Sequence, residues 1–218
     1  PNAWFTRELP GTRAVTQWMY LLPMDGPKGR GLMLGAKGAN AGIDWAPLTE
    51  DGIGPIERVV DAGWIMSLLP YDVDGDGDLD VVASDRRGER SGVYWIEATA
   101  SGWRPRHLGL LGSEVMFLDV GDLDRDGQPE IVATVKPGQV IALDPDEGLG
   151  SWREVFLFDY PKNAGSAKAV KTGDLDRDGI LDIAFTSEAA EGPESGVWAF
   201  VRGGEALDAP GAMVDIGG

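Results

Sequence analysis

The sequence predicts an all-β protein: β-propeller blades, four four-stranded antiparallel units plus one N-terminal orphan strand, forming an arc of a larger ring. Three observations carry this. A stretch of the form Asp-x-Asp-x-Asp-Gly begins at Asp72, Asp122 and Asp174, at separations of 50 and 52 residues. Each copy lies between short apolar runs of strand character. With 32 glycines, 14 prolines and no long run of helical periodicity, the chain favours short strands joined by turns.

Taken in order, residues 1–9 read as the outer strand of a preceding blade, because Trp4-Phe-Thr-Arg aligns on Trp103-Arg-Pro-Arg. Residues 16–62 form a degenerate blade. Leu22-Pro-Met-Asp25 aligns with Leu69-Pro-Tyr-Asp72, and Gly42-Ile-Asp-Trp45 with Gly92-Val-Tyr-Trp95. Between its first two strands, Gly26-Pro-Lys-Gly-Arg-Gly31 replaces the acidic loop. A cation there would meet Lys28 and Arg30 with only Asp25 to hold it, so this blade is expected to carry no metal.

The three acidic blades span 63–112, 113–160 and 165–218. Their first strands are Trp64–Leu69, Glu114–Asp119 and Ala167–Thr172, and their second strands Asp80–Ser84, Glu130–Val135 and Asp182–Ser187. Third strands follow at Gly92–Ile96, Gln139–Leu143 and Gly196–Phe200, and fourth strands at Trp103–Leu108, Trp152–Leu157 and Ala212–Ile216. The recurrence of Trp45 and Trp95 at one place in strand three marks them as packing residues. Because the last unit has its own fourth strand, the orphan strand has no blade here to complete. Further blades are therefore expected outside this stretch, with a closed four-bladed ring as the rival. A leader or a longer upstream segment is expected before Pro1.

Charge and composition narrow the function. Thirty-six acidic against nineteen basic residues give a net charge of −17, which argues against a nucleic-acid partner. No apolar run reaches the ~18 residues of a membrane span, so no membrane insertion is expected, and no signal peptide is visible. There are no cysteines, so disulfides cannot hold the fold.

The acidic loops have the chemistry of a hard cation. Alternate carboxylates at positions 1, 3 and 5 converge as the backbone curls, glycine at position 6 permits the turn, position 7 offers a carbonyl, and position 9 adds a carboxylate. The candidate ligands are Asp72, Asp74, Asp76, Asp78 and Asp80; Asp122, Asp124, Asp126, Gln128 and Glu130; and Asp174, Asp176, Asp178, Ile180 and Asp182. All-oxygen ligation suits Ca²⁺, which takes 6–8 oxygens at ~2.3–2.6 Å. Zinc would want histidine or cysteine, which the loops lack, and magnesium a stricter octahedron. An EF-hand needs an acid at position 12, where Ala83, Ala133 and Phe185 stand, and helices where strands are found. The bland alternative is an acidic hairpin turn without metal, since Asp and Gly are turn residues in their own right. Three copies, each with an acidic position 9, favour three structural calcium sites.

These motifs resemble FG-GAP/VCBS-type repeats, which build the propellers of integrin α-chains and of many secreted bacterial proteins, often with seven blades. The resemblance covers the whole chain, with the first blade departing from the motif. It implies calcium, an extracellular or periplasmic setting and a β-propeller. It does not imply one activity, because such propellers serve as adhesion modules, lectins and domains of polysaccharide lyases or sugar-processing enzymes.

If the first strand of each blade is innermost, the residues opening strand one and closing strand two gather on the face opposite the loops. These are Gln17, Trp18 and Lys37; Trp64, Asp85 and Arg86; Glu114 and Lys136; Lys168 and Glu188. The segments 35–40 and 84–88 extend the set. Both charge signs and two tryptophans suit a sugar or another polar ligand. The alternative is that they are solvated strand ends, with Trp18 and Trp64 packed between blades. No catalytic residue is assigned: His107 is the only histidine and lies on an outer strand, so a serine triad or histidine metal site has little to build on. The leading expectation is a binding or scaffolding module for a glycan, a protein ligand or other domains of its own chain. The alternative is a domain of a carbohydrate-active lyase or sugar dehydrogenase.

Overall fold

Side-chain alternation decides which way each strand faces, and here both faces are apolar. In the computed structural model, which describes residues 11–12, 15, 17–190 and 196–216, the chain is all β. The orphan strand expected at 1–9 lies outside the described residues.

The first sheet holds β1 (Gln17–Gly26), β2 (Gly29–Lys37), β3 (Gly42–Thr49), β4 (Gly52–Ile53) and β5 (Glu57–Asp61). The second holds β6 (Ile65–Tyr71), β7 (Asp80–Asp85), β8 (Gly92–Thr99) and β9 (Gly102–Gly109). The third holds β10 (Val115–Gly121), β11 (Glu130–Val135), β12 (Gln139–Pro145) and β13 (Trp152–Asp159). The fourth holds β14 (Ser166–Gly173), β15 (Asp182–Glu188), β16 (Val197–Arg202) and β17 (Gly211–Asp215). Strands pair antiparallel in sequence order within each sheet. In the first sheet the outer position is split, with β4 and β5 both pairing β3.

The sheets stack as blades. One core cluster joins Met33, Ile43 and Trp45 of the first blade to Ile65, Val81, Ala83 and Ile96 of the second. Another joins Val82, Val93 and Trp95 to Val115, Ile131 and Ala133. A third joins Val132, Val140 and Phe158 to Val170, Ile183 and Phe185. Alternation explains the sharing: Val81 and Ala83 face the preceding blade while Val82 faces the next, and Ile131, Ala133 and Val132 repeat the arrangement. Trp45 and Trp95 are buried, and Trp45 meets Trp103 of the second blade edge-on at 5.2 Å. The first strands β1, β6, β10 and β14 lie side by side along the inner edge of the arc.

Each first strand carries a register shift near its start, between Trp18/Tyr20, Ile65/Ser67, Val115/Leu118 and Ala167/Val170. Such bulges free backbone groups that need partners. The partners are hydroxyls four residues into strand two. Ser84 Oγ donates to Met116 O of the next blade, and Thr134 Oγ1 to Lys168 O at 2.6 Å. In the last blade the Ala169 N–H donates to Thr186 Oγ1 at 3.2 Å. The first blade has Gly35 at this place. A Cβ there would lie 2.8 Å from Ile65 Cγ2, and the Tyr20 hydroxyl donates instead to Met66 O.

Candidate metal centres and the opposite face

Carboxylates brought together without donors repel one another, so each loop must curl around backbone N–H groups. It does so in the same way three times. The position 1 aspartate accepts from the position 6 glycine: Gly77 N to Asp72 at 3.0 Å, Gly127 N to Asp122 at 3.1 Å, and Gly179 N to Asp174 at 3.2 Å. Asp74, Asp124 and Asp176 each accept from the N–H two residues on, as do Asp76, Asp126 and Asp178. The turn needs left-handed backbone at two places. Glycine supplies it at position 6, with φ of 94°, 93° and 91°. Position 4 is left-handed too, and there Arg125 (φ 62°) and Arg177 (φ 68°) stand where the first loop has Gly75 (φ 71°).

The curl gathers three acidic groups whose oxygens lie within 4.8 Å of one another: Asp72, Asp74 and Asp76; Asp122, Asp124 and Glu130; and Asp174, Asp176 and Asp182. Asp78, Asp126, Gln128, Asp178 and Ile180 lie outside these groups, and Asp80 sits beneath the first of them. Asp72 Oδ1, Asp122 Oδ1 and Glu130 Oε1 are buried and have no hydrogen-bond partner. A buried carboxylate oxygen left without a donor is costly, and a cation bound among these groups would satisfy it. The residues present therefore fit a hard divalent metal, most clearly in the second loop.

The position 9 acids open strand two and are fully buried: Asp80, Glu130 and Asp182. Each takes the N–H of loop position 2, from Val73 at 3.2 Å, Leu123 at 2.6 Å and Leu175 at 2.9 Å. The aspartates also reach strand three. Asp80 accepts from Ala98 N at 2.7 Å and Trp95 Nε1 at 2.8 Å, and Asp182 accepts from Arg202 N at 2.9 Å. Glu130 is one methylene longer, and its Oε1 is the oxygen left over. Burial pushes the Glu130 carboxyl up to about 8, with Asp124, Asp144 and Asp122 adding to the rise and the Leu123 N–H opposing it. Burial likewise lifts Asp80 to about 6, against its three donors.

Blade order also shows in what covers each loop. Val73 and Leu123, at position 2, are buried beneath Leu149 and Leu207 from the turns between strands three and four of the following blades. Leu175, at the same place in the last described blade, is 48% exposed. Arg202 is the residue sequence reasoning missed here. It is buried, and it donates to Leu123 O at 2.6 Å, Leu181 O at 3.2 Å and the carbonyls of Glu205 and Ala206. It ties the second loop to the third, and its burial lowers its pKa. An arginine near a strand end carries no such signal in sequence.

A family model described as an FG-GAP-like repeat matches residues 72–133, from the first acid of the first loop to the strand after the second. Residues 72–133 carry an FG-GAP-like repeat. The third loop, outside the matched segment, repeats the same internal bonds. The match and the four antiparallel sheets together are those of a repeat-type β-propeller module. No curated protein matches the chain. Among the described residues, no helix is long and apolar enough to cross a membrane.

At the other end of the blades the structure sorts the expected ligand residues into groups. Gln17 pairs with Lys37, and Lys37 forms a bridge with Trp64 across the first two blades. Lys37 Nζ lies 4.3 Å from the centre of the Trp64 ring, and Arg86 Cζ 4.7 Å. Arg86 also pairs with Glu114 of the next blade at 2.9 Å. Farther along, Glu188 holds Lys136 and Lys168, at 2.5 and 2.8 Å, which keeps its carboxyl down at about 2. Asp85 is buried and accepts from the N–H groups of Gly63, Trp64 and Arg87. Trp18 stands apart, its Nε1 donating to Thr12 O at 3.2 Å. His107 packs edge-on against Tyr94 at 4.9 Å.

Proposed function

We propose that the chain is a calcium-stabilised propeller module of an exported protein, extracellular or periplasmic, acting as a non-catalytic binding or scaffolding unit for a carbohydrate or protein partner. The observation that carries the calcium reading is the repeated acidic group with buried, donor-free oxygens at Asp72, Asp122 and Glu130. A bound Ca²⁺ supplies two positive charges and accepts several oxygens at once. The chain's own part is to curl each loop on its glycine N–H, to aim positions 1 and 3 inward, and to anchor the loop base through the position 9 acid.

The test is a thermal melt with and without a chelator. Binding at 100 times Kd contributes about 2.7 kcal/mol per site. At about 2–4 °C per kcal/mol for a chain of this size, three sites lower the melting temperature by more than ~10 °C when calcium is removed. An unchanged melt in excess chelator contradicts the proposal.

A further inference from the structure

We propose that the cleft between the first two blades, at the end remote from the acidic loops, binds the anionic group of an acidic sugar such as a uronate. This deepens the carbohydrate-binding side of the function proposed above and is independent of the metal loops. The cleft measures about 420 Å³ and is lined by Lys37, Gly38, Ala39, Gly63, Trp64 and Arg87. Three cations converge on one ring, with Arg87 Cζ 5.1 Å from the centre of Trp64 in addition to Lys37 and Arg86. Like charges so gathered repel one another, and the attraction of a single indole is shared among them.

Their counter-charge is short. Arg86 has Glu114, but Lys37 and Arg87 have no ion pair among the described residues. The carboxylate beneath them, Asp85, is 1% exposed and directs its oxygens to three backbone N–H groups. In a chain of net charge −17, a cationic spot with two unpaired members is a place where an anion gains locally what the overall field denies it.

The scaffold is set in advance. Asp85 fixes both walls, and a Cβ on Gly63 would lie 2.0 Å from Arg87 O, so the two segments touch only because that residue is glycine. Gly38, Ala39 and Gly63 bring almost no side chain to the lining, and the indole adds apolar surface. A pyranose ring bearing a carboxylate uses all three features, whereas a bare oxyanion uses only the charges.

Calorimetric titration of the whole chain with trigalacturonate, maltotriose and sodium sulfate at low salt tests this. Saturable binding of trigalacturonate, at least tenfold tighter than that of maltotriose or sulfate, is expected. The Lys37→Gln/Arg87→Gln double variant should weaken it at least tenfold with an unchanged melting temperature, while Lys28→Gln at the far hairpin leaves it intact. If the double variant does not fold, Lys37→Gln alone should weaken binding about threefold. No binding of trigalacturonate by the folded chain overturns the proposal, as does sulfate binding equally well. Binding of a neutral glycan that ignores both substitutions also overturns it, yet leaves the broader binding role standing.

Discussion

In the first blade, β1 turns into β2 through Pro27 and Lys28 alone, and Asp25 pairs with Arg30 at 2.9 Å across the hairpin. In each of the next three blades the same turn takes eight residues, and its acids find backbone donors but no basic partner of their own inside the loop. The two solutions hold the same inner hairpin. One neutralises a single carboxylate with a neighbouring guanidinium; the other gathers three carboxylates and leaves oxygens at Asp72, Asp122 and Glu130 unsatisfied. The difference reaches into the strands. The acidic blades begin strand two with a buried acid and place a hydroxyl four residues later, whereas the first blade places Gly35 there and borrows the Tyr20 hydroxyl. A loop that gathers charge is thus accompanied by a more polar blade interior, and a tight hairpin by a closer apolar contact.

The two kinds of hairpin should differ most at the buried acid. Asp80→Asn keeps one acceptor oxygen but sets an amide NH2 against the donors of the other, either Ala98 N or the pair Val73 N and Trp95 Nε1. It is expected to cost about 2–3 kcal/mol by urea denaturation. Asp25→Asn in the first blade removes an exposed pair and should cost less than about 1 kcal/mol. Equal costs would mean that the two hairpins are held alike.

The hydroxyl staples come next. Thr134→Val and Ser84→Ala should each cost about 1 kcal/mol, and Tyr20→Phe a similar amount, because each leaves a bulge carbonyl without its donor. If Tyr20→Phe alone is silent, the first blade is not using its tyrosine in place of the missing hydroxyl.

A further effect of similar size is confined to acid. Glu188 is held down at about 2 by hydrogen bonds from Lys136 and Lys168, against an ordinary glutamate value in the unfolded chain. A lowered folded pKa contributes stability that is present above about 4.5 and is lost as pH falls toward 2. The group is partly open to solvent, so about 1 kcal/mol is expected after screening. Glu188→Gln should flatten that part of the stability profile.

Much of this was legible in sequence because period-2 alternation and a fixed acidic spacing are local signals. The four sheets, the eight-residue loops and the position 6 glycines follow from them. The bulges were not legible, since Met66 and Phe117 look like any strand residue and the hydroxyls that meet the freed carbonyls of Met66 and Met116 come from a neighbouring blade. Nor was the sorting within the loops: five carboxylates in the first loop look equivalent, but Asp80 is turned toward Trp95 while Asp72, Asp74 and Asp76 face one another. On the opposite face, the position of Glu188 predicted its neighbourhood but not that it would hold both lysines. Arg87 lay within a flanking segment of the expected set, and its contact with Trp64 depends on the close approach at Gly63.

On the proposed reading the three long turns are cation clips and the short one is not. Calorimetric titration of the chelator-treated chain with calcium tests this most directly. Three ions per chain are expected, falling to two in Asp122→Ala and remaining at three in Asp25→Ala. No saturable calcium uptake, or a stoichiometry indifferent to Asp122, would contradict it.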